Sequence, residues 1–173
     1  MNRPTFSFTT QRLLLREFAA GDAEPLYLLN SDPEVLRYTG DEPFPDVHAA
    51  AEFIRNYTHY RDHGFGRWAV ISRSSDEFMG FCGLRKGADG NVDLGFRLFP
   101  GFWAKGIATE AAGAALSAGF NQFGLEEIIG RAMRENLPSI SILQKLGMTF
   151  REIREEAGLI WLVYVITRRA FGN

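Results

Sequence analysis

The sequence has little of several features that mark specialised protein classes. Its 173 residues include one cysteine, which excludes a disulfide framework, and without a Cys/His cluster we expect no metal site. No stretch approaches the roughly 20 apolar residues that a membrane-spanning helix needs. The formal net charge is only −2, from 19 Lys+Arg against 21 Asp+Glu, so no broad basic surface for nucleic acid is expected. The first residues show no leader pattern, and we expect a cytoplasmic protein that contacts neither nucleic acid nor membrane.

What is present is the composition of an ordinary globular protein. Hydrophobic residues make up 46% and charged residues 23%, both close to the averages for such proteins. A chain of this length can bury roughly two-thirds of its unfolded surface, so its core can be stable without disulfides or bound metal ions. No repeat, low-complexity run or linker interrupts the sequence. We therefore predict one domain over residues 1–173.

Hydrophobic patterning predicts a mixed α/β (α+β) domain built on a single sheet. The segments with strand patterns are 6–18, 67–72, 78–86, 91–98, 128–133, 149–154 and 159–167. The segments with helical patterns are 23–30, 46–63, 106–120 and 139–146.

Four short patterns do not carry the chemistry that they suggest. Residues 64–69 match a dinucleotide fingerprint, but they follow a helix and precede a strand, the reverse of what that motif requires. Residues 101–106 have the glycine spacing of a P-loop without its Lys and Ser/Thr. His59 and His63 lie one helical turn apart, but the Glu of a zinc-protease helix is absent, so they are interpreted as surface histidines. Cys82 lies in a strand pattern and is expected to be buried and inert.

The informative segment is a small-residue turn that leads from a strand into an alanine-rich helix near Gly106. The first N–H groups of a helix have no partner within it, and the helix dipole is positive there, so such a turn binds phosphate well. Gly106 and Ala108 leave room for phosphate oxygens, and Lys105 adds a charge. The alternative is a well-packed helix with a glycine-rich entry.

The stretch FRLFPGFWAKGIATEA, followed by residues 135–150, resembles the GNAT superfamily of acetyl-CoA-dependent N-acetyltransferases. The segments 10–16 and 32–35 are similar to its ribosomal-protein N-terminal (Rim-type) branch. The resemblance implies a mostly antiparallel central sheet with a V-shaped splay, flanked by about four helices. It also implies acetyl transfer from acetyl-CoA to an amine, without a metal.

The resemblance further implies which residues hold acetyl-CoA. Backbone groups of one strand segment would bond the pantetheine arm: Phe96, Arg97 and Leu98. The turn would cradle the pyrophosphate: Trp103, Ala104, Lys105, Gly106, Ile107, Ala108 and Thr109. Asn136 matches the asparagine that contacts the cofactor arm, with Ser139 and Lys145 nearby; alternatively, Asn136 only starts a helix. Because Trp103 replaces an expected basic residue, the pyrophosphate would rest on main chain and Lys105.

Amine acetylation needs a base that removes a proton from the amine, and N–H groups that stabilise the tetrahedral oxyanion. The family pattern has an acidic residue before the apolar–Gly pair of the central strand, which is Asp93 here. Asp93 is therefore the candidate base, or else a solvent-facing residue of the strand. Leu143 stands where many relatives have a tyrosine that protonates the departing thiolate. Ser141 on the same helix is the candidate substitute.

The acceptor is the least specified part. Residues 32–46 hold five acids against one arginine, in a region that flanks the acceptor groove in the family. Such a lining would favour a cationic amine, although charged loops are usually only solvated. The acceptor is a protein N-terminal α-amine or a small amine such as a polyamine, amino acid or antibiotic. A non-catalytic CoA-binding module is a further alternative, and the protein is expected to be a monomer or homodimer.

Overall fold

A single eight-stranded sheet lies at the centre of the computed structural model, which describes residues 5–172. Its strands are β1 (Ser7–Thr9), β2 (Leu13–Arg16), β3 (Arg67–Ser72), β4 (Phe78–Lys86), β5 (Val92–Leu98), β6 (Glu127–Met133), β7 (Thr149–Glu156) and β8 (Leu159–Thr167). They lie in the order β1-β2-β3-β4-β5-β6-β8-β7. Every neighbouring pair is antiparallel except β5 and β6, which are parallel. The predicted mixed fold with a mostly antiparallel sheet is confirmed.

The sheet opens between its two parallel strands. β5 and β6 pair only at Asp93 with Ile129 and at Leu94 with Gly130. Beyond these two positions both strands continue without pairing to each other, β5 to Leu98 and β6 to Met133. We call the gap between 95–98 of β5 and 131–133 of β6 the cleft. It is the V-shaped splay that the family resemblance implied.

Helices flank this sheet in greater number than predicted. They are α1 (Ala23–Leu29), α2 (Pro33–Leu36), α3 (Val47–Arg55), α4 (His59–His63), α5 (Ile107–Asn121), α6 (Leu137–Lys145) and α7 (Arg168–Phe171), with 3-10 turns at Ala20–Asp22 and Pro100–Phe102. The estimate of about four helices was too low because α2 and α7 are only four residues long and the segment 46–63 is two helices. Asn56, a weak helix former, ends α3 as its C-terminal cap.

The predicted strand 6–18 is likewise two strands. The chain turns between β1 and β2, where the Thr10 N–H donates to the Leu13 carbonyl at 2.9 Å. The Thr10 hydroxyl accepts a hydrogen bond from the Leu13 N–H at 3.1 Å. A side-chain oxygen of this kind offers the backbone an alternative to the strand ladder, so the apolar run is interrupted.

The two faces of the sheet have different coverings. α5 packs against β4 and β5, with Ala111, Ala115 and Leu116 fully buried, and β5 directs Leu94 into this core. The alternating residues of β5, including Arg97, point to the opposite face, which we call the far face. There α1 packs against β4 beside a smaller apolar cluster. Alternate side chains of β5 therefore point to the far face, while its unpaired backbone borders the cleft.

Cys82 is buried, as the sequence suggested. It is a free, fully buried thiol, and burial raises its pKa to about 12. The prediction of two surface histidines holds for His63, which is exposed, whereas His59 is partly buried, with its Nδ1 buried and without a hydrogen-bond partner, because its ring packs against that of Tyr57. Within residues 5–172 no group of three or more His, Cys, Asp or Glu side chains could hold a metal ion, and no helix is long and apolar enough to cross a membrane.

Candidate active site

The turn into α5 presents free N–H groups at the mouth of the cleft. In this entry turn, residues 99–106, Ala104 and Gly106 have φ angles of +57° and +74°. Such left-handed conformations are unusual for a non-glycine residue and cluster at functional sites. The first helical bond runs from the Glu110 N–H to the Gly106 carbonyl at 3.0 Å. The N–H groups of residues 107–109 therefore have no acceptor within the helix and can bind an anion.

Two side chains predicted to serve the cofactor lie along this turn. The Lys105 ammonium donates to the Gly101 carbonyl at 2.7 Å, which holds its charge beside the turn. The Trp103 indole N–H donates to the Leu98 carbonyl at 2.9 Å, and the side chain is 44% exposed. Trp103 thus lies at the end of β5 and contributes no positive charge, so any cation at the turn comes from other residues.

Sequence reasoning gave no role to Arg12, which supplies a second cation to the entry turn. Its Nη1 donates to the Lys105 carbonyl at 3.0 Å and its Nε to a Glu110 carboxylate oxygen at 2.6 Å. The hydroxyl of Thr10 donates to the same carboxylate. Burial raises the pKa of Glu110, but these hydrogen bonds outweigh it and hold the pKa below its ordinary value. Nothing local in the sequence signals this contact, since Arg12 and Glu110 are 98 positions apart.

A shallow pocket of about 490 Å³, separate from the cleft, adjoins Arg12 and the first residue of α5. Arg73 also lines it and donates to the Thr10 carbonyl at 2.8 Å. The region around the start of α5 therefore carries three cations, Arg12, Arg73 and Lys105, against the Glu110 carboxylate, in a protein whose net charge is negative. This distribution favours a polyanionic ligand at this end.

α6 lies beyond the other arm of the cleft. The Asn136 side chain accepts a hydrogen bond from the Ser139 N–H at 3.3 Å and caps the helix. Lys145 is exposed in the last turn. The capping contact is what the alternative interpretation of Asn136 requires, and the predicted cofactor contacts of all three residues stay predictions.

Leu143 covers the point where the two strands separate. Its side chain is 1% exposed, and its Cδ2 lies 2.7 Å from the position that a Cβ on Gly130 would take. Ser141 is two positions away on α6, and residues two apart on a helix point in nearly opposite directions. Hydrocarbon therefore covers this point, and the Ser141 side chain points away from it.

Asp93 lies on the far face at the closed end of the cleft and is only 8% exposed, so it is not a solvent-facing residue. Its Oδ2 lies 2.7 Å from the Arg67 Nη2 and 3.8 Å from the Arg85 Nη2. Its Oδ1 lies 3.7 Å from the Arg131 Nε. Both carboxylate oxygens therefore face guanidinium groups. This arrangement is typical of an ion-pair anchor, whereas a base must offer an oxygen to the amine.

Two glycines allow Arg67 to reach Asp93 across the sheet. The guanidinium also donates to the carbonyls of Gly83, at 2.5 Å, and Asp93, at 2.8 Å. A Cβ on Gly95 would overlap that guanidinium, and one on Gly83 would lie 2.9 Å from the Arg67 Cα. Gly95 thus keeps a path open for the Arg67 side chain, and Gly83 lets the backbone at Arg67 lie close to β4.

Arg97 links the cleft to the far face. Its guanidinium donates to an Asp41 carboxylate oxygen at 2.6 Å and to the Asn30 side-chain oxygen, and it stacks over the Phe81 ring at 5.2 Å. Burial lowers the pKa of Arg97, and the hydrogen bond to Asp41 opposes this. The backbone of Arg97 meanwhile lies in the unpaired part of β5.

The second arm carries its own charged pair. Arg131 of β6 donates to a Glu156 carboxylate oxygen at 2.9 Å and stacks over the Trp161 ring at 5.5 Å. Anion-binding N–H groups thus lie at one end of the cleft, unpaired strand backbone lies along it, and charged side chains lie beneath it. Such a site can hold an extended, phosphate-bearing ligand with its reactive end toward the far face.

Comparisons with known proteins agree with this geometry. The family model described as "Acetyltransferase (GNAT) domain" matches residues 12–149. A curated relative, the uncharacterized N-acetyltransferase p20 of Bacillus licheniformis, is 32% identical over 165 residues, which is 91% of this chain and 93% of the relative. The uncharacterized N-acetyltransferase YnaD of Bacillus subtilis is 33% identical over 81% of each chain.

Solved structures share the fold. A GNAT-family acetyltransferase from Bacillus anthracis superposes with a TM-score of 0.81 at 24% identity, covering 95% of this chain and 99% of the other. Spermidine N-acetyltransferase from Vibrio cholerae, solved with CoA and spermine, gives a TM-score of 0.82 at 19% identity, covering 95% and 100%. From its sequence, its fold and these relatives, the chain belongs to the GNAT family of N-acetyltransferases.

Proposed function

We propose that the protein transfers the acetyl group of acetyl-CoA to a primary amine by direct attack within the cleft. The observation that carries this proposal is the loss of pairing between β5 and β6 beyond Leu94 and Gly130, immediately before a turn with free N–H groups. One ligand with an amide-rich arm and phosphates at its far end fits both features. The CoA bound to the Vibrio cholerae neighbour supports this assignment.

In this proposal the pyrophosphate lies on the N–H groups of residues 107–109, beside Lys105. Arg12 fixes the turn through the Lys105 carbonyl, while its charge is paired with Glu110. The pantetheine arm bonds backbone groups of residues 96–98 as an added strand would. The carbonyl of Leu98 already accepts from Trp103, so the arm relies on the remaining backbone groups.

The reaction needs few groups from the chain. The amine nitrogen attacks the thioester carbon, the carbon–sulfur bond breaks, and the amine's proton is balanced by protonation of the CoA thiolate. Free N–H groups on β5 stabilise the oxyanion. Asp93, the base that the sequence suggested, has both oxygens facing guanidinium groups, and we expect it to position the strands. Ser141 is the candidate proton donor, because Leu143 has no proton to give.

The acceptor is a primary amine, either the α-amine of a protein, as in the ribosomal-protein branch, or a small molecule. The Vibrio cholerae neighbour is named for its action on spermidine, which supports the second class. A non-catalytic CoA-binding module is the remaining candidate. It is supported by Leu143, which stands where the resemblance implies a tyrosine.

Calorimetric titration with acetyl-CoA tests the proposal. We expect saturable binding to the wild type and at least tenfold weaker binding to Gly106→Glu, which places a negative charge at the entry turn. The control is Gly21→Glu, because a Cβ at Gly21 meets no atom within 4 Å. Circular dichroism establishes that both variants are folded.

Turnover is then measured as CoA release with a panel of peptides and small amines. Acetylated product confirms an enzyme, whereas tight binding without turnover of any amine would indicate the binding module. Absence of acetyl-CoA binding to the wild type would overturn the whole assignment.

A further inference from the structure

The segment between α2 and α3 crosses the far face at the open end of the cleft. We call residues 37–46 the strap. Its two central residues, Gly40 and Asp41, contact different arms of the cleft. This arrangement bears on which acceptors can reach the reacting carbon.

Asp41 binds the β5 arm. Its carboxylate accepts a hydrogen bond at 2.6 Å from Arg97, whose side chain is 15% exposed while that of Asp41 is 59% exposed. The Thr39 hydroxyl accepts from the Asp41 N–H at 3.1 Å and shapes the turn before it. The pair is thus held on the buried side by a guanidinium that cannot move without losing several contacts.

Gly40 lies against the other arm. A Cβ at this position would be 2.8 Å from Leu159 Cδ1, 3.6 Å from Trp161 Cζ2 and 3.7 Å from Met133 Cε. Its φ angle is +70°, a conformation that glycine adopts without strain. The strap backbone at Gly40 therefore lies against the ends of side chains from β6 and β8.

The far end of the strap is also secured. The Phe44 N–H donates to the Asn30 carbonyl at 3.2 Å, and the Asn30 side chain accepts from Arg97. The Phe44 ring packs against Phe53 of α3, with centroids 5.8 Å apart. Both the middle and the end of the strap are therefore held against the sheet.

One peptide unit consequently bridges both arms of the cleft. Neighbouring Cα atoms are about 3.8 Å apart, so the contacts with the two arms lie within a single peptide unit of the strap. A polypeptide cannot lie along the sheet beneath the strap while both contacts hold. We infer that the strap excludes polypeptide acceptors and that the acceptor is a small amine, entering between the strap and the Arg131 end of the cleft. This inference rests on the proposed acetyl transfer.

Matched acceptors test the inference. Each aminoacyl amide, for example alaninamide, is paired with an unstructured ten-residue peptide that begins with the same residue, and spermidine is added to the small amines. The readout is kcat/KM from CoA release, with products identified by mass spectrometry. For the wild type we expect small amines to be favoured at least tenfold over their matched peptides.

The strap is tested with Asp41→Ala and the control Glu77→Ala, because Glu77 is an exposed acid outside the strap and outside the acidic segment 32–46. Asp41→Ala should raise the peptide-to-amide ratio at least fivefold, and Glu77→Ala should leave that ratio unchanged. Faster exchange of backbone amides in residues 37–46 of Asp41→Ala should accompany the change.

The outcomes separate the two proposals. Equal or better use of peptides by the wild type, or the same ratio in both variants, would overturn the inference and leave acetyl transfer intact. If acetyl-CoA binds and no amine of either size is acetylated, the proposed function fails and the inference fails with it.

Discussion

Replacing Asp93 by asparagine separates an anchoring aspartate from a catalytic base. The substitution keeps the shape of the side chain and removes the charge that faces Arg67, Arg85 and Arg131. One charge-assisted hydrogen bond of 2.7 Å is weakened, and a guanidinium that is 14% exposed loses its counter-ion. Arg85 is about half exposed, so solvent screens part of the new repulsion.

The expected loss lies between two limits. A hydrogen bond to a charged group contributes about 1.5–3 kcal/mol, and removing one partner of a buried ion pair costs about 3–5 kcal/mol. Because Arg67 keeps its bonds to the carbonyls of Gly83 and Asp93, we expect roughly 2–4 kcal/mol of lost unfolding free energy. For a chain of this size that lowers Tm by roughly 4–16 °C.

The assay combines thermal unfolding with kcat/KM measured from pH 6 to 9 on the best acceptor found. We expect the stability loss, a rate loss below tenfold and an unchanged pH profile. Arg67→Met is the matched control, since it breaks the same pair from the other side and should destabilise similarly. A base would behave differently, with a loss of about 10²–10⁴ and a missing limb of the pH profile. Wild-type stability together with that kinetic loss would refute the anchoring argument.

Three further outcomes follow from the same contacts. Gly95→Ala should lower Tm and weaken the Arg67 interaction, because its Cβ would overlap the guanidinium. Adding Arg67→Met to Gly95→Ala should lower Tm little further, and a double-mutant cycle in thermal unfolding measures this. Glu110→Gln should be less stable than the wild type at pH 7. The difference in unfolding free energy should shrink as the pH falls below 4.5, the ordinary pKa of a glutamate, because a carboxylate with a lowered pKa loses its stabilising contribution on protonation. A difference that stays constant from pH 3 to 7 would contradict this. Cys82, with its pKa raised to about 12, should react with thiol reagents in the native protein more than about a thousandfold more slowly than free cysteine at pH 8, and rapid labelling without unfolding would contradict its burial.

Local patterning was enough to predict the centre of the fold. β3, β4 and β5 begin and end within a residue of their predicted positions, because each is an apolar run bounded by turn residues. The start of α5 was predicted within one residue for a similar reason: Gly106 is its N-terminal cap in a left-handed conformation. The splay between β5 and β6, however, came from the family resemblance and from no local pattern.

Contacts between distant segments escaped prediction. The pair Arg12–Glu110 joins positions 98 apart, and Arg97–Asp41 joins positions 56 apart. Nothing in a single sequence states which charges meet, since that depends on the register of several strands and on loops between them. The three arginines that face Asp93 were missed for the same reason. Without them the sequence could not distinguish a catalytic base from an ion-pair anchor.

Arg97 gives the two substrates a thermodynamic link. In the proposed complex its backbone meets the cofactor arm, and its guanidinium already holds the strap over the acceptor. Any ordering of β5 by acetyl-CoA therefore also orders the strap. Linkage requires reciprocity: if acetyl-CoA tightens acceptor binding by some factor, the acceptor must tighten acetyl-CoA binding by the same factor. One side chain thus couples the binding of the two proposed substrates by the same factor, whichever of them binds first.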